Sequence, residues 1–551
     1  MSRSRPTSLF LTAGGLLLVL GLLFYLTHRR PDSARVSTAA EATEPGPRVS
    51  SLPYPSTDIA TASDGNLSQA ASIAALAETL SSRLNHPATR AHEAILMFKT
   101  TEGYHRFLAR AVGSGVIVTG QIDALNIVRV RVRAYDAFAA ELVARAADYG
   151  GVSANTFVQL PPPPEERAAS RQVAVGDALL ATLGVSAGTN TSAWGRGVTV
   201  AILDGGAGPD PTLGARLRYL DVGLGYAGTG AAGLHGTAVA AIAAGSSPDA
   251  PGVAPAATIL SIRVTNTDDK SDVFTVTQAI VAAVDAGAQV INLSLGGYST
   301  SEALNRAITY AVDHGIVIVA AAGNDAAARL TWPAADPRVV SVGATDATGR
   351  QAGFSNSGAQ LHLTAPGVGL RTAGLASQRT LFSGTSASAP VVSGAIAALM
   401  SQTPGLTAAQ AVGILQTYAD DGGPAGTDPD YGHGTLDLGW ALAREDRSRI
   451  DTAVSGHHYD AGTASLEVIL QNRGALPANG LKLTVDLNGR VSTHTIPALD
   501  AGRSATVPLP IDAATAAGPI TLRTRLENPE GVTDTVPANN FRASLIDLAG
   551  R

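Results

Sequence analysis

Hydrophobic and polar positions change their period several times along the chain. Residues 9–26 carry no charge, and as a helix rising 1.5 Å per residue they span about 27 Å, close to the ~30 Å hydrocarbon core of a membrane. From 31 to 67 the apolar periodicity gives way to Pro, Ser, Thr, Ala and Glu, the composition of a flexible spacer. Between 91 and 158 the pattern predicts strand (94–99), helix (102–112), strand (115–119), strand (127–133), helix (135–149) and strand (153–158). Val128, Val130 and Val132 alternate there with Arg129, Arg131 and Arg133, as on a half-buried sheet. The order β-α-β-β-α-β is that of a ferredoxin-like α+β unit. Pro161, Pro162, Pro163 and Pro164 then break the chain, and 165–170 reads as an exposed, cleavable connector.

From Gly197 onward, strand-like runs (198–203, 259–264, 290–293, 316–320, 339–342) alternate with helical stretches such as 276–286 and 302–314, which predicts an α/β domain with a parallel sheet sandwiched by helices in three layers. After about Asp451 short alternating strands (465–471, 481–487, 505–509, 520–526) are separated by Gly, Pro and Asn turns, the pattern of an all-β sandwich. The chain therefore divides into a membrane anchor or signal segment (1–30), a linker (31–67), the small α+β module (68–160), a connector (161–176), the α/β domain (177–448) and the sandwich (449–551).

Composition narrows the functional classes. With 551 residues, 45% of them apolar, the chain is long enough for several cores, and a wholly disordered or fibrous protein is excluded. A net charge of −6 leaves no global basic field for nucleic acid, so no nucleic-acid partner is expected. Lys99, Lys270 and Lys482 are the only lysines, and Arg carries nearly all positive charge. Cysteine is absent, which removes disulfides, thiolate metal sites and cysteine nucleophiles together. Arg3 and Arg5 precede the uncharged run, His28, Arg29 and Arg30 follow it, and no small-residue cleavage pattern lies close behind, so a retained single-pass anchor is favoured over a cleaved signal peptide. Arg29, Arg30 and Arg35 against Arg3 and Arg5 do not decide its orientation.

Four short motifs fall where an open α/β sheet places its chemistry, at the carboxyl ends of strands. Ile202-Leu203-Asp204-Gly205-Gly206 ends an apolar strand in a carboxylate able to orient a histidine. His235-Gly236-Thr237 precedes the Ala-rich helical run 238–244, which mounts an imidazole at a helix start as a general base. Ala321-Ala322-Gly323-Asn324 follows a strand and offers an amide donor to a developing oxyanion. Gly384-Thr385-Ser386-Ala387-Ser388-Ala389-Pro390 opens the apolar helix 391–400, where backbone N–H groups stabilise negative charge. Each alone has a structural reading: Asp204 and Asn324 as turn residues, His235 as a core or helix-start histidine, Ser386 as a cap. Their conjunction, in this order and context, is far more specific.

On these motifs, together with Trp194-Gly195-Arg196-Gly197, Gly252-Val253-Ala254-Pro255 and Ser294-Leu295-Gly296-Gly297, residues 177–443 resemble the subtilisin-type serine proteases, the subtilase family. The resemblance implies that Ser386 is the nucleophile of a serine endopeptidase, that His235 is its acid-base partner, and that Asp204 orients the imidazole. Asn324 and the Ser386 N–H then form the oxyanion hole. Ser294, Leu295 and Gly296, with Ala321, Ala322 and Gly323, match the segments that wall the pocket for the residue before the scissile bond and bind a peptide as an added strand. Two positions depart from the family: Gly205 stands where Ser or Thr usually follows the catalytic Asp, and Ala238 where a second His is usual.

By the same resemblance the 91–158 unit is similar in order and position to the subtilase propeptide, an intramolecular chaperone and inhibitor whose end lies in the active cleft, with self-cleavage in the connector. A propeptide suits folding after export, and thus an extracytoplasmic, periplasmic or extracellular enzyme, secreted if the amino-terminal segment is removed. The carboxyl domain resembles the Ig-like, adhesion-related modules of bacterial surface proteins, with Gln471-Asn472-Arg473-Gly474, Pro497-Ala498-Leu499 and Pro537-Ala538-Asn539-Asn540. A protein or peptide substrate is expected, with the membrane as a partner through the amino end. No cofactor is expected for catalysis. Structural calcium is open at Asp428-Pro429-Asp430 or Asp268-Asp269, and His457-His458 lacks further metal-ligand spacing. Gly384-Thr385-Ser386-Ala387-Ser388 lacks the closing Gly of a nucleophile elbow, where Ser388 stands, against an α/β-hydrolase. The alternative is a catalytically silent surface-binding protein on the same fold.

Overall fold

The computed structural model describes residues 75, 77, 79–161, 172–226, 228, 230–266, 270–460, 462–511 and 518–546. The anchor at 9–26, the spacer, most of the connector and the Asp268-Asp269 pair lie outside the described residues. Among the described residues no helix is long and apolar enough to cross a membrane.

The small module runs β1 (Thr89–Phe98), α1 (Thr101–Arg110), β2 (Val116–Ile122), β3 (Ile127–Val132), α2 (Tyr135–Ala144), β4 (Tyr149–Gln159). Its strands lie in the order β4-β1-β3-β2, all antiparallel, the ferredoxin-like arrangement. Thr100 caps α1 by accepting the Gly103 N–H at 3.1 Å. Val128, Val130 and Val132 pack with Phe98, Tyr104, Phe107 and Phe138 under the two helices. The opposite face departs from the half-buried expectation, because Ile95, Met97, Ile122, Ile127 and Val158 on it are also buried. They share a core with Phe274, Ile280 and Leu304 of the next domain. Arg129, which alternation assigns to solvent, stacks its guanidinium 4.6 Å from the Phe274 ring.

The α/β domain comprises β5 (Thr199–Asp204), β6 (Leu217–Leu220), α3 (Gly230–Ala244), β7 (Thr258–Arg263), β8 (Lys270–Asp272), α4 (Val273–Asp285), β9 (Val290–Leu293), α5 (Glu302–Asp313), β10 (Val317–Ala321), β11 (Val340–Thr345), β12 (Leu363–Pro366) and α6 (Thr385–Gln402). Seven strands form a parallel sheet in the order β12-β11-β10-β9-β5-β7-β6. Both faces are covered, so the central strands read as continuous apolar runs. Val200, Ile202 and Val319 pack against Val239 of α3 and Val391 and Ile396 of α6. Ala201, Leu203 and Ile318 pack against Val276 of α4 and Ile308 of α5. β8 leaves this sheet and joins β4 as the fifth strand of the module's sheet.

The last hundred residues form two antiparallel sheets, Thr452–Asp460, Ser465–Asn472 and Ser504–Pro510 in one, Arg490–Leu499, Ala478–Leu487, Ile520–Glu527 and Phe541–Ile546 in the other. Leu466, Val468, Leu470, Leu483, Val485 and Leu522 fill the space between them. Arg473 ties this all-β unit to the α/β domain: its buried guanidinium lies 3.2 Å from Asp437 Oδ2 and 2.5 Å from Asp420 Oδ1. Burial pushes the Asp437 carboxyl up from the usual carboxylate range, against the pull of that guanidinium.

Candidate active site

Asp204 is the last residue of β5 and is fully buried. The His235 Nδ1 lies 2.8 Å from Oδ1 and 3.0 Å from Oδ2, and Oδ1 also accepts the Gly205 N–H at 2.6 Å. A carboxylate with nothing to donate requires a proton on Nδ1, and in the neutral ring Nε2 then keeps its lone pair. Nε2 is buried and has no hydrogen-bond partner. The ring meets Phe382 edge to face, with centroids 5.1 Å apart.

His235 does not stand at a helix start, as its sequence context suggests. α3 begins at Gly230, which places the histidine in the second turn. The run Gly230-Ala231-Ala232-Gly233 reads as loop by its glycines, yet the glycines are what lets this helix close on the strand end. A Cβ on Gly205 would lie 2.1 Å from Ala232 O, one on Gly233 2.3 Å from Gly228 O, and one on Gly236 3.0 Å from Gly206 N. Gly205 therefore has a steric cause, the approach of α3. Ala238 is fully buried on the same helix, and its carbonyl accepts Thr372 Oγ1 at 3.1 Å.

Ser386 is the second residue of α6, 2% exposed. Gly384 precedes the helix at φ 128°, a backbone region open to glycine. Ser386 Oγ donates to Ser294 O at 3.3 Å, and Ser294 Oγ donates to Ser386 O at 3.0 Å. The hydroxyl is thus turned to β9's extension and not to His235 Nε2. A buried polar chain continues behind it: Asn292 Nδ2 donates to Ser294 Oγ at 3.0 Å, and Ser393 Oγ of α6 donates to Asn292 Oδ1 at 3.0 Å.

Asn324 follows β10, and its Oδ1 accepts both the backbone N–H and the hydroxyl of Thr385 at 2.9 Å. With the oxygen held, the amide orientation is set and Nδ2 faces the Gly384 side, where a Cβ would come within 3.0 Å of it. Ser294, Leu295 and Gly296 extend β9, and Ala321, Ala322 and Gly323 end β10. Thr331 Oγ1 donates to Ala321 O at 3.2 Å and to Ala322 O at 3.3 Å. Cβ atoms on Gly296 and Gly323 would lie 2.7 Å from Thr331 Oγ1 and 2.2 Å from Asn356 Nδ2, so both positions admit no side chain. Asn356 Oδ1 accepts the N–H groups of Asp325 and Ala327 at 3.0 Å, pinning the turn after Asn324. Tyr298 donates to Asp325 Oδ2 at 2.5 Å, and burial, then that bond, push its phenol up to about 12. Sequence reasoning missed Thr385, Thr331, Asn356 and Tyr298. Only Thr385, inside the quoted serine motif, carried a local signal.

Among the described residues no group of three or more His, Cys, Asp or Glu side chains is placed to hold a metal ion. Asp428 Oδ1 is taken by the N–H groups of Asp430 (2.7 Å) and Tyr431 (3.0 Å), and burial pushes its carboxyl up to about 6. That pair makes a turn, and Asp428 Oδ2 is buried without a hydrogen-bond partner.

The module's last strand ends beside these residues. Gln159 N donates to Gly296 O at 3.3 Å and Gly296 N donates to Gln159 O at 3.1 Å. On its other side Phe157, Val158 and Gln159 pair with Asp272, Ser271 and Lys270. Arg90 forms an ion pair with Asp272, which also caps α4 by accepting Thr275 N at 2.9 Å. Arg306 of α5 donates to Phe98 O at 3.0 Å and to Leu125 O at 3.4 Å.

Comparison with known proteins gives a family match, Peptidase_S8, the subtilase family, over residues 195–434. Subtilisin BL of Lederbergia lenta is 36% identical over 217 residues, 39% of this chain and 80% of that one. A thermophilic serine proteinase of Bacillus sp. (strain AK1) is 40% identical over 171 residues, 30% of this chain and 43% of that one. Among solved structures, fervidolysin from Fervidobacterium pennivorans, described as a keratinolytic enzyme related to subtilisin, shares the fold with a TM-score of 0.55 at 20% identity, over 84% of this chain and 77% of that one.

Proposed function

The chain belongs to the subtilase family and is a subtilisin-type serine protease; from that premise we propose that Ser386, His235 and Asp204 form its triad and that residues 68–160 are its intramolecular inhibitor and folding module. The Ser386 hydroxyl turns from Ser294 O to the lone pair of His235 Nε2, which takes its proton as Oγ attacks the substrate carbonyl carbon. The imidazolium so formed is stabilised by Asp204 and later gives its proton to the leaving amine. The Asn324 amide and the Ser386 N–H receive the oxyanion. Peptides bind as an added strand on Ser294-Leu295-Gly296, with Ala321, Ala322 and Gly323 opposite.

The observation that carries this reading is the bidentate clamp of Asp204 on His235 Nδ1 beside a buried, unpartnered Nε2. The inhibitor assignment draws support from the strand pairing of Gln159 with Gly296 and from the Arg90 and Arg306 contacts. Folding under such a module fits an enzyme that acts outside the cytoplasm, held by the 9–26 segment. The test is the full chain with its connector trimmed by trypsin, beside Ser386→Ala. A fluorophosphonate probe should label the first and not the second, and hydrolysis of an unfolded protein substrate should fall roughly a thousandfold or more in the variant. Equal hydrolysis by the two refutes the assignment; an inert parent points to the silent binding protein.

A further inference from the structure

We propose that Arg379 is a positioning residue of this protease: its guanidinium ties together the chain segments adjoining Asp204, His235 and Ser386, and so sets the separation of the nucleophile from the imidazole. The inference rests on the assignment of those three residues as the triad. A hairpin of Leu370–Ala373 and Arg379–Phe382 leads through Ser383 and Gly384 directly into α6, which carries Ser386. Asp210 lies in the loop that leaves β5 after Asp204. Asp249 lies just past the end of α3, the helix of His235, in the turn between Ser246–Ser247 and Ala250–Pro251. Arg379 reaches both carboxylates. Its Nη1 donates to Asp210 Oδ2 at 3.2 Å, its Nη2 donates to Asp249 Oδ1 at 3.3 Å, and its Nε stands 3.0 Å from Asp249 Oδ2.

The two carboxylates stand on a platform stitched by Thr212. Its carbonyl accepts Ser246 N at 3.0 Å and Ser246 Oγ at 2.9 Å, and its Oγ1 accepts the N–H groups of Ser246 and Ser247 at 2.9 Å. Asp210 Oδ1 holds the same turn by accepting Thr212 N at 2.8 Å. The Asp210 side chain is fully buried and that of Arg379 nearly so, so this arm acts where solvent screens little. The Asp249 side chain is 60% exposed, which makes its arm the weaker one. A planar guanidinium spans two carboxylates at once, whereas the single ammonium of lysine holds one such geometry at a time.

From this anchor the hairpin crosses α3. Thr372 Oγ1 donates to Ala238 O at 3.1 Å, and the Phe382 ring lies 5.1 Å from that of His235. Arg379 and Phe382, three apart on one strand, leave it on opposite faces: one grips the platform while the other rests on the imidazole. The hairpin's tip depends on that grip, because Ala376 and Ser377 stand at φ 53° and 60°, a left-handed backbone uncommon for residues with a side chain. Arg379 Nη1 donates to Ser377 O and Gln378 O at 3.3 Å and holds this tip as well. Attack requires the Ser386 hydroxyl to turn from Ser294 O to His235 Nε2, and the reach of that turn is fixed by how closely α6 is held to α3. Loss of the guanidinium leaves the strand pairing in place but passes slack to both Phe382 and Ser386.

The experiment measures kcat, KM, the rate of fluorophosphonate labelling and the melting temperature of the trypsin-trimmed full chain, with rates taken well below melting and normalised to sites labelled at completion. Arg379→Met should lower kcat and the labelling rate together, by about 10–100-fold, with KM within about threefold, as misplacement of a reacting group does. Arg379→Lys, which keeps the charge beside Asp210 but not the fork, should recover part of the loss, and Asp249→Asn should lose less than Arg379→Met. Arg371→Met breaks an exposed ion pair with Asp177 on the same hairpin and should match the parent. A lower melting temperature with kcat per labelled site unchanged overturns the proposal, as does a loss confined to KM or an equal fall in Arg371→Met. Should Arg379→Met not fold, parent-like kcat in both Arg379→Lys and Asp249→Asn overturns it. A trimmed parent that neither cleaves peptide nor takes label sinks the triad assignment itself, a result distinct from these.

Discussion

Gly205→Ser restores the residue type usual in the family after the catalytic Asp, and it should cripple this enzyme. A Cβ at 205 would lie 2.1 Å from Ala232 O, 2.3 Å from Ala232 C and 2.6 Å from Ala232 Cβ. Side-chain carbons do not sit closer than about 3.0 Å to such atoms, and two of the three are backbone, so α3 must retreat by about 1 Å. His235 lies three residues on along the same helix. Its Nδ1 contacts of 2.8 and 3.0 Å to Asp204 then open toward the limit of a hydrogen bond. A charge-assisted bond of this kind contributes about 1.5–3 kcal/mol, and a misplacement of about 1 Å at a reacting group costs on the order of 100-fold. The two routes agree on a fall in kcat of about 100-fold, roughly 2.7 kcal/mol. The assay is hydrolysis of a chromogenic peptide by trypsin-trimmed enzyme, normalised to probe-reactive sites. Gly205→Ala should match Gly205→Ser, because both add the same Cβ. Gly413→Ala, where a Cβ meets nothing within 4 Å, should leave the rate unchanged. A Gly205→Ser enzyme within threefold of the parent would refute the steric account.

Asn324→Ala should lower kcat by about 10²–10³-fold with KM nearly unchanged, since the amide acts on charge that develops only in the transition state; a loss confined to KM would contradict that role. In the sandwich, burial and then Arg542 pull the His457 imidazole down to about 3, while its two nitrogens bond Ser544 and Thr524 hydroxyls. The unfolded chain takes up this proton below about pH 6.5 and the folded chain does not, so stability is full above pH 6.5 and is lost as pH falls toward 3, at about 1.4 kcal/mol per unit and about 2 kcal/mol by pH 5. Urea midpoints at pH 7 and pH 5 should diverge less in His457→Gln, and an unaltered difference would rule this histidine out. Arg473→Met strips the buried partner from Asp437 and Asp420 and should cost about 3–5 kcal/mol, read as a lower melting temperature of the full chain.

What the sequence discloses follows from where each signal resides. The central strands were legible because a sheet covered on both faces demands unbroken apolar runs, and Val290–Leu293 falls on the expected residues. The edge strands Leu217–Leu220 and Leu363–Pro366 were not, because Arg218 and Pro366 interrupt runs of only four residues. In the sandwich, Arg490–Leu499 escaped notice for a related reason: seven of its ten residues are exposed, and its partner strand alone holds it in place. Asp204, His235, Asn324 and Ser386 stood out because each sits in a short motif, Asp204 and Asn324 at strand ends and Ser386 at a helix start, while His235 turned out to lie in the second turn of its helix. Thr331 and Asn356 did not, since each works on backbone some 9–34 residues away.

Gly205 shows the limit most directly. Compared position by position with its family it is a hydroxyl lost beside Asp204. In the fold it is one member of a steric unit with Gly228, Gly233 and Gly236, whose missing side chains let α3 start early and close on the end of β5. A sequence presents these as four separate glycines, each with the local meaning of a turn. Their shared meaning is a distance between backbones, and only that distance explains why the imidazole reaches Asp204 from the second turn of a helix. Replacing any one of them by the residue a relative carries there tests the unit as a whole, because the space belongs to the helix and not to the position.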